Sequence, residues 1–390
     1  MNQLDLSPDE CLLSTIFPEH QPTTTHIILQ DFYKCVFKAH FEGRSHQIVR
    51  LETIPESDGG EGACHQFRAV AAIQKLAAAQ IPPLVPNVFR IGVAVNAEGR
   101  QFEFSVMEFV DGVTLQDAWG AMSQENRHSV VADVVGALEK LHSLRLADVE
   151  YDILRELDII DKSARTIGGP LIGFLNDGAA LLKALPYPVY FDDLSSITIT
   201  KSDMDEWVHS AVLCHNDLTP RNLILRRQLK ANTAANGSPT THNYELAAII
   251  DWELAGFYSP SYEIALQDTY LSAGNRHLSF YLLLKGSMKE LVPMSQAQAR
   301  LLQAVELIFE SRERKLLSGT NVPAHIRKRF IERLQLHRDP HPYIGWTRGL
   351  PDDGTGAAPF EMSEKEADEL EDEVIEEMMK RRQSNKVKGT

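Results

Sequence analysis

Residues 212–225 read VLCHNDLTPRNLIL, a polar loop between two apolar runs. The loop carries His215, Asp217 and Asn222 in the spacing H-x-D-x-x-x-x-N. Asn-Asp and Thr-Pro are ordinary turn formers whose side chains satisfy local backbone groups, so a purely structural turn is one interpretation. A catalytic loop is the other, because the segment places a carboxylate and a carboxamide between two runs suited to a core. One short motif does not decide between them.

A second carboxylate follows another apolar run. Asp251 ends the run AAII and precedes Trp252 and Glu253. Two hydrophobic segments that each end in an acid are expected to lie side by side, which would bring Asp217, Asn222 and Asp251 together. Asp217 would accept a proton from a hydroxyl, whereas the other two offer the hard oxygen ligands that suit magnesium carrying nucleotide phosphates. Phosphoryl transfer needs mainly positioning and charge neutralisation, and these residues would supply both.

Length and composition predict a soluble protein with more than one folding unit. The 390 residues correspond to roughly two to three units of ordinary size. Hydrophobic content of 43% and charged content of 24% are typical of soluble proteins, and no apolar run approaches the ~20 residues of a membrane span. The start, MNQLDLSPDECLLSTIF, carries acids where a signal peptide has bases. A net charge of −15 argues against a nucleic-acid partner, but a nucleotide needs only a local cation and a metal.

The cysteines predict a reduced, cytoplasmic protein. Cys11, Cys35, Cys64 and Cys214 lie far apart and form no C-x-x-C, so neither a zinc site nor a disulfide framework is expected. Cys214 stands next to His215, which suggests a nucleophile. Adjacent residues on an extended segment point to opposite faces, however, so we expect Cys214 to be a small buried hydrophobe.

The first third of the chain predicts a small antiparallel sheet. Residues 26–43 and 46–52 are rich in Val, Ile, Phe and Tyr and predict strands. After a flexible break at 57–62, the Ala-rich segment 66–80 predicts a helix. The runs VFRIGVAV and QFEFSVMEFV predict two further strands. Residues 26–110 therefore give strand, strand, helix, strand, strand.

The remainder is predominantly helical, so the fold class is α+β. Valines and leucines recur at helical spacing over 126–146, and 276–337 also has helical patterning. The polar segment 231–243 is expected to be an exposed insertion. The predicted divisions are an N-terminal extension (1–25), a sheet-containing part (26–110), a helical part (111–348), and a linker with an acidic terminal helix (349–390).

The acidic segment 361–379 predicts a terminal helix. Ser363 and Glu366 form a capping-box pattern, and acids precede bases along the segment, which suits the helix dipole. The helix either docks on the body, awaits a partner protein, or is solvated and partly frayed. Its apolar stripe consists of Ala367, Leu370, Val374 and Met378.

The chain resembles a known family. The segments HNDLTPRNLIL and IIDWELAG, preceded by FSVMEFVDGVTL, look like those of the aminoglycoside phosphotransferase family of kinase-like enzymes, its fungal members in particular. The resemblance spans most of 26–345, and two motifs in order at plausible spacing make it specific. It implies a protein-kinase-like, two-lobed fold, with a small antiparallel-sheet N-lobe, a mainly helical C-lobe, and ATP with Mg²⁺ in the cleft. It also implies that the helical part, 111–348, carries the substrate site.

The resemblance also implies roles for single residues. Asp217 matches the catalytic base and His215 the structural histidine of the loop. Asn222 and Asp251 match the metal ligands. The hinge, whose backbone would hydrogen-bond adenine, is matched by Met107, Glu108, Phe109 and Val110.

The nucleotide-binding half departs from the family pattern in three places. Arg50 occupies the position of the phosphate-binding lysine, although an exposed strand residue is the alternative interpretation. Ala69 stands where a helix glutamate would pair with that cation, and Glu61 or Glu52 are candidate substitutes. The first hairpin, QDFYKCVF, has no glycine where the backbone would wrap phosphates.

Three functions compete. The first is a phosphotransferase that moves the γ-phosphate of ATP to a hydroxyl or amine of a small molecule. The second is a catalytically impaired kinase-like binding or regulatory protein, suggested by Ala69 and the missing glycines. The third, a protein kinase, is disfavoured because HND replaces HRD, DWE replaces DFG, and no A-P-E follows.

The acceptor is not specified by the sequence. Four acids are candidate receivers of a cationic substrate, with ordinary charged surface as the alternative. These are Asp192, Asp193, Glu253 and Glu263.

Overall fold

The computed structural model describes residues 6–54, 65–150, 200–229, 242–348 and 361–388. Within them the chain forms two compact units. The first contains the residues up to Gly112, the pair 149–150 and the segment 247–253; the second contains the rest. The predicted break at 57–62 and linker at 349–359 lie outside the described residues, as does the predicted insertion at 231–243 apart from its last two residues, which begin a strand.

A five-stranded antiparallel sheet forms the first unit. The strand pattern predicts a single strand over 26–43, whereas QDFYKCVF within it is identified as a hairpin. The structure has the hairpin, because the Asp31 carboxylate accepts the backbone N–H groups of Tyr33 and Lys34, each at 2.7 Å, and turns the chain. The order across the sheet is β1-β2-β3-β5-β4. The strands are β1 (Thr24–Gln30), β2 (Lys34–His40), β3 (Gln47–Thr53), β4 (Val88–Val95) and β5 (Gln101–Glu108).

Each face of this sheet has a helix of the first unit beside it. The short helix α1 (Glu10–Ile16) begins at Asp9, whose carboxylate accepts the N–H of Leu12 at 2.8 Å. Its buried Leu12 and Ile16 join the inward side chains of the strands, such as Phe37, in one apolar core. Helix α2 (His65–Gln80) confirms the helix predicted at 66–80 and contacts β4.

A later piece of chain completes the first unit. The backbone N–H of Ile249 donates to the carbonyl of Leu84 at 2.8 Å. Trp252 is buried, and its indole Nε1 donates to the carbonyl of Ile249 at 2.8 Å. The bond to Leu84 attaches the segment that carries Asp251 and Glu253 to the rest of the first unit, and the indole bond stabilises the turn within that segment.

Helices dominate the second unit. Helix α4 (Gln124–His142) buries Val130, Val134, Leu138 and Leu141, which confirms the predicted core stripe. Strands β6 (Val113–Thr114), β8 (Leu223–Leu229) and β9 (His242–Ile249) form one small sheet in that order, and β7 (Val212–Cys214) pairs antiparallel with β10 (Gly256–Tyr258). The helices are α3 (Leu115–Ala118), α4 (Gln124–His142), α5 (Lys201–His209), α6 (Pro260–Tyr270), α7 (Leu278–Met288), α8 (Gln296–Leu317) and α9 (Val322–Arg333).

The terminal helix α10 (Glu364–Lys388) docks on the chain's own second unit. The predicted capping box is present, since Ser363 N–H donates to Glu366 at 2.8 Å and Glu366 N–H to the Ser363 hydroxyl at 3.3 Å. Of the three alternatives for this helix, docking on the body is therefore the one found, and the predicted stripe does not await a partner. The stripe residues, buried beside α9 and the β11–β12 hairpin (Leu336–Arg338, Trp346–Arg348), are Ala367, Leu370, Val374 and Met378.

No described helix is both long enough and apolar enough to span a membrane. The observed elements agree with the predicted α+β class, with an antiparallel sheet first and helices after it.

Candidate active site

The polar loop of the second unit lies between β7 and β8. It contains a 3-10 turn, Pro220–Asn222, in which proline stands at the first position, where its missing N–H costs nothing. Asn216 has a φ of +63°, a left-handed conformation that asparagine tolerates better than most residues. The turn-forming residues noted in the sequence therefore determine the backbone of the loop, and this backbone positions the candidate catalytic side chains.

Glu263 on α6 holds the start of the loop. Its carboxylate is fully buried and accepts the backbone N–H groups of His215 and Asn216, at 2.8 and 2.9 Å. The His142 ring lies 2.9 Å from its other oxygen. Burial alone would raise the pKa of Glu263, but the bonds from His142 and from the backbone lower it below its usual range. Both interpretations of Glu263 offered by the sequence, a receiver of a cationic substrate and ordinary charged surface, are wrong, because the side chain is buried and its oxygens already bind the loop.

Two further contacts fix Asn216. The Tyr270 hydroxyl donates to its carbonyl, and its side-chain amide donates to the carbonyl of Leu254 at 2.9 Å. Burial, together with the nearby Asp217 carboxylate, raises the pKa of the Tyr270 phenol, so this donor stays protonated. The loop backbone is therefore bound from both sides.

Asp217 has one occupied and one open carboxylate oxygen. The side chain is 7% exposed, and its Oδ2 accepts the Asn222 amide at 2.8 Å and lies 3.7 Å from Arg221. The buried Oδ1 has no hydrogen-bond partner among the described residues. His215 supports the same residue, since its Nδ1 accepts the N–H of Asp217 at 3.2 Å. An open carboxylate oxygen of this kind can accept a proton from a hydroxyl.

Asn222 is oriented by the loop it belongs to. Its Nδ2 donates both to the Asp217 carbonyl, at 3.0 Å, and to Asp217 Oδ2. Because the amide nitrogen is directed towards Asp217, the carbonyl oxygen is the atom of this side chain that can bind a cation.

Cys214 is not a nucleophile. It is fully buried, and burial together with the Glu263 carboxylate raises the pKa of its thiol well above the ordinary value. Its Sγ lies 3.9 Å from His142 Nε2, and these atoms lie within 4.8 Å of a Glu263 oxygen, a grouping of ligand types that metals bind. The contacts already made by Glu263 favour a structural role for all three.

In the first unit, one face of the sheet forms a pocket. Across β3 and β5, Arg50 lies opposite Ser105, and Met107 follows two residues further along, about 7 Å away. The face therefore changes from charged to apolar over about 7 Å, which is comparable to the separation of phosphate and base in a nucleotide. The lining residues are Arg50, Phe67, Val70, Gln74, Val88, Ser105, Met107, Asp251, Trp252 and Glu253.

Arg50 makes ion pairs at the charged end of this pocket. Its Nε donates to Glu52 at 2.6 Å, and its Nη2 contacts both Glu52 and Glu253. Its Nη1 lies 3.8 Å from Asp251. Burial alone would lower the pKa of Arg50, but the carboxylates of Glu253 and Glu52 raise it. Arg50 is thus not an isolated surface residue, and Glu253, proposed from the sequence as a receiver of a cationic substrate, is paired with it.

Of the predicted hinge residues, Met107 lines the pocket. Glu108 ends β5, and its N–H donates to the Asn87 carbonyl at 2.8 Å, so adenine could not use that donor. Val110 lies just beyond the strand. Adenine binding by these residues stays a prediction.

The predicted site residues fall into two sets. His215, Asp217 and Asn222 contact one another in the second unit; Arg50 and Asp251 lie together in the first. The predicted approach of Asp251 to Asp217 and Asn222 therefore stays a prediction. The sequence did not reveal how Glu263 and Tyr270 hold the loop, although an acid inside the apolar stretch YEIAL is the kind of signal that marks a buried, paired group.

Comparison with known proteins identifies the family. The model of the phosphotransferase enzyme family matches residues 43–267, more than half of the chain. A search of curated proteins with the whole chain found no match.

Several solved structures are similar to the chain at low identity. The GDP complex of wild-type aminoglycoside 2′-phosphotransferase-IIIa is 13% identical, with a TM-score of 0.44 over 93% of this chain and 96% of that one. The gentamicin–APH(2″)-IIa complex is 13% identical, with a TM-score of 0.45 over 80% and 92%. Macrolide 2′-phosphotransferase MphH from Brachybacterium faecium, as the apoenzyme, is 10% identical, with a TM-score of 0.43 over 83% and 92%. The assignment to a family rests on the match over 43–267.

Proposed function

The chain belongs to the phosphotransferase enzyme family, and from that premise we propose that it transfers the γ-phosphate of ATP to a hydroxyl or amine of a small molecule. The observation that carries this proposal is Asp217. A buried carboxylate, held by its neighbours through one oxygen and open at the other, suits the removal of a proton from an attacking hydroxyl.

The pocket of the first unit suits the nucleotide. Val88 and Met107 offer an apolar surface for a base, and the Arg50 guanidinium offers donors for phosphate oxygens. An ATP molecule needs both within a short distance. The proposal therefore assigns nucleotide binding to this pocket and proton transfer to the loop.

Asn222 and Asp251 fit a magnesium ion chemically. An amide carbonyl and a carboxylate are hard oxygen donors, the type that Mg²⁺ binds together with substrate phosphates. Magnesium, when bound, neutralises charge that develops on the phosphates. Asp251 has a φ of +65°, so its backbone is held in a left-handed conformation at the point where the carboxylate is needed.

A catalytically impaired binding protein is the second candidate. It is favoured by the turn between β1 and β2, where Asp31 rather than glycine shapes the backbone. A protein kinase remains disfavoured by the HND and DWE motifs.

The experiment is transfer of labelled phosphate. Purified protein is incubated with Mg²⁺ and γ-labelled ATP, together with a panel of small alcohols and amines or a mixture of peptides. We expect magnesium-dependent labelling of a small molecule. Binding of ATP without transfer to any acceptor would favour the impaired protein, and labelling of peptides alone would favour a protein kinase.

The proposed setting is the cytoplasm, with a small-molecule acceptor and no nucleic-acid partner. Cys11, Cys35 and Cys214 are free thiols, which supports a reducing compartment. We therefore expect these three residues to form no native disulfide with one another.

A further inference from the structure

Helix α2 does not provide an acid for Arg50. Ala69 is half-buried, and the pocket side of the helix instead contributes Phe67, Val70 and Gln74. The Phe67 ring centroid lies 5.7 Å from the guanidinium carbon of Arg50, within cation–π range. The helix therefore offers the cation an aromatic face and no carboxylate.

Two carboxylates from elsewhere hold the guanidinium along two of its edges. Glu52, two residues along the same strand, accepts a hydrogen bond from the Nε–H group of Arg50 at 2.6 Å. Glu253, some 200 residues later in the chain, accepts Nη2. The third nitrogen, Nη1, lies 3.8 Å from Asp251 and makes no hydrogen bond among the described residues. The two glutamates thus leave the Nη1 edge directed towards the predicted metal ligand.

The geometry points to Glu253 as a positioning residue for the nucleotide phosphates. We infer that it takes the place of the missing helix acid and aims Arg50 Nη1 at a phosphate oxygen beside Asp251. This inference rests on the proposed function. It gives Glu253 a role in nucleotide binding, whereas the sequence had suggested it as a receiver of a cationic substrate.

The local fold explains why Glu253 can do this. Trp252–Leu254 forms a 3-10 turn directly after the left-handed Asp251, and the buried Trp252 ring anchors that turn. One short segment therefore presents the predicted metal ligand and the partner of the arginine together. Binding of a metal–nucleotide complex and alignment of Arg50 become coupled through it.

The charge of this group has a consequence for binding. Three carboxylates and one guanidinium leave the set of Arg50, Glu52, Asp251 and Glu253 at a formal charge of −2. A triphosphate would be repelled by that excess unless a divalent cation bound with it. ATP should therefore bind this pocket as its magnesium complex.

The test is Glu253→Gln, which keeps the size of the side chain and removes its charge. Mg-ATP affinity is measured by calorimetry for the wild type, Glu253→Gln, Arg50→Ala and the double variant, with thermal melting as a check on folding. Glu245→Gln is the matched control, because Glu245 forms an exposed pair with Arg226 at 3.5 Å in the second unit. We expect Glu253→Gln to weaken binding about tenfold, as coupled charges do, and the control to change nothing.

The double variant separates positioning from a general effect. If Glu253 acts through Arg50, its substitution should have no further effect once Arg50 is alanine. Equal weakening in both backgrounds, unchanged affinity of Glu253→Gln, or tighter binding because a competing carboxylate is gone would each overturn the inference. Failure of the wild type to bind Mg-ATP would instead overturn the proposed function, and this inference with it.

Discussion

The polar loop of the second unit and the Arg50 group of the first unit are both polar, but they are held in different ways. The loop is bound through its backbone to the side chain of Glu263, which is 0% exposed. The Arg50 group consists of side chains bound to side chains, and its acids are about 30% exposed, Glu253 at 29% and Asp251 at 31%.

This difference predicts different consequences of substitution. A buried polar group that loses its partner carries the full cost of desolvation, whereas a partly solvated ion pair is replaced by water at little cost. Changes that affect the loop frame should therefore appear as lost stability. Changes in the Arg50 group should appear as lost ligand binding in a protein that remains folded.

The largest expected effect is on the chemistry of the loop. Asp217→Asn should lower phosphate transfer by roughly 10²–10⁴, the usual range for loss of a general base, with thermal stability and Mg-ATP affinity unchanged. Transfer is measured at saturating Mg-ATP, with Asp205→Asn on an exposed face of α5 as the control. Transfer at the wild-type rate would show that Asp217 is not the base.

A pair of glutamate variants compares the two regions most sharply. Glu263→Ala leaves the N–H groups of His215 and Asn216 and the His142 ring without their acceptor, so it should cost about 3–5 kcal/mol of unfolding free energy. Glu253→Ala should cost no more than about 1 kcal/mol. Urea denaturation of both variants measures the difference. Equal losses would mean that the two regions are not held differently.

The third prediction concerns the metal. Asp251→Ala should weaken Mg-ATP binding at least about tenfold. Even the loss of a residue that only supports a metal ligand typically lowers metal affinity by about 10–100-fold. Titrations of ATP with and without magnesium provide the measurement. Because Asp251 has a positive φ, Asp251→Asn serves as a second variant that tolerates the backbone. Unchanged magnesium dependence in both would exclude Asp251 as a ligand.

The smallest effect is on pH dependence. The pKa of Glu263 is lowered in the folded protein, so its contribution to stability is complete above the ordinary value of 4.5 and is lost as pH falls through the folded-state value. Below pH 4.5, the unfolding free energy of the wild type should therefore fall more steeply than that of Glu263→Gln. Chemical denaturation between neutral pH and the onset of acid unfolding measures both slopes, and identical slopes would contradict the assignment.

Local signals made the loop predictable. Turn formers, flanking apolar runs and the spacing of His215, Asp217 and Asn222 all lie within about a dozen residues. In the structure, hydrogen bonds join Asp217 to each of the other two residues. The helix at 66–80, the stripe of α4 and the terminal capping box were predictable for the same reason. Each depends on residues only a few positions apart.

The Arg50 group was not predictable in this way. Its partner Glu253 is separated from it by 203 positions, and no periodicity links them. Because Ala69 occupies the helix position, the sequence offered Glu61 or Glu52 as substitutes, and the structure confirms Glu52 as a partner of Arg50. Tertiary contact also supplies Glu253 from a distant segment, which the sequence did not indicate. The strand pattern alone did not divide 26–43 into two strands, since Asp31 makes the turn of the QDFYKCVF hairpin without the glycine that usually marks one.

The central claim is that the Arg50 pocket binds the nucleotide and that Asp217 accepts the proton of the hydroxyl that attacks its terminal phosphate. The most direct test is a crystal structure with Mg²⁺ and a non-hydrolysable ATP analogue. The account predicts the base beside Met107 and Val88, a phosphate oxygen on Arg50 Nη1, and the metal on Asp251 and Asn222, with Asp217 Oδ1 facing the terminal phosphate. A nucleotide bound away from Arg50, or a metal that contacts neither Asp251 nor Asn222, would contradict it.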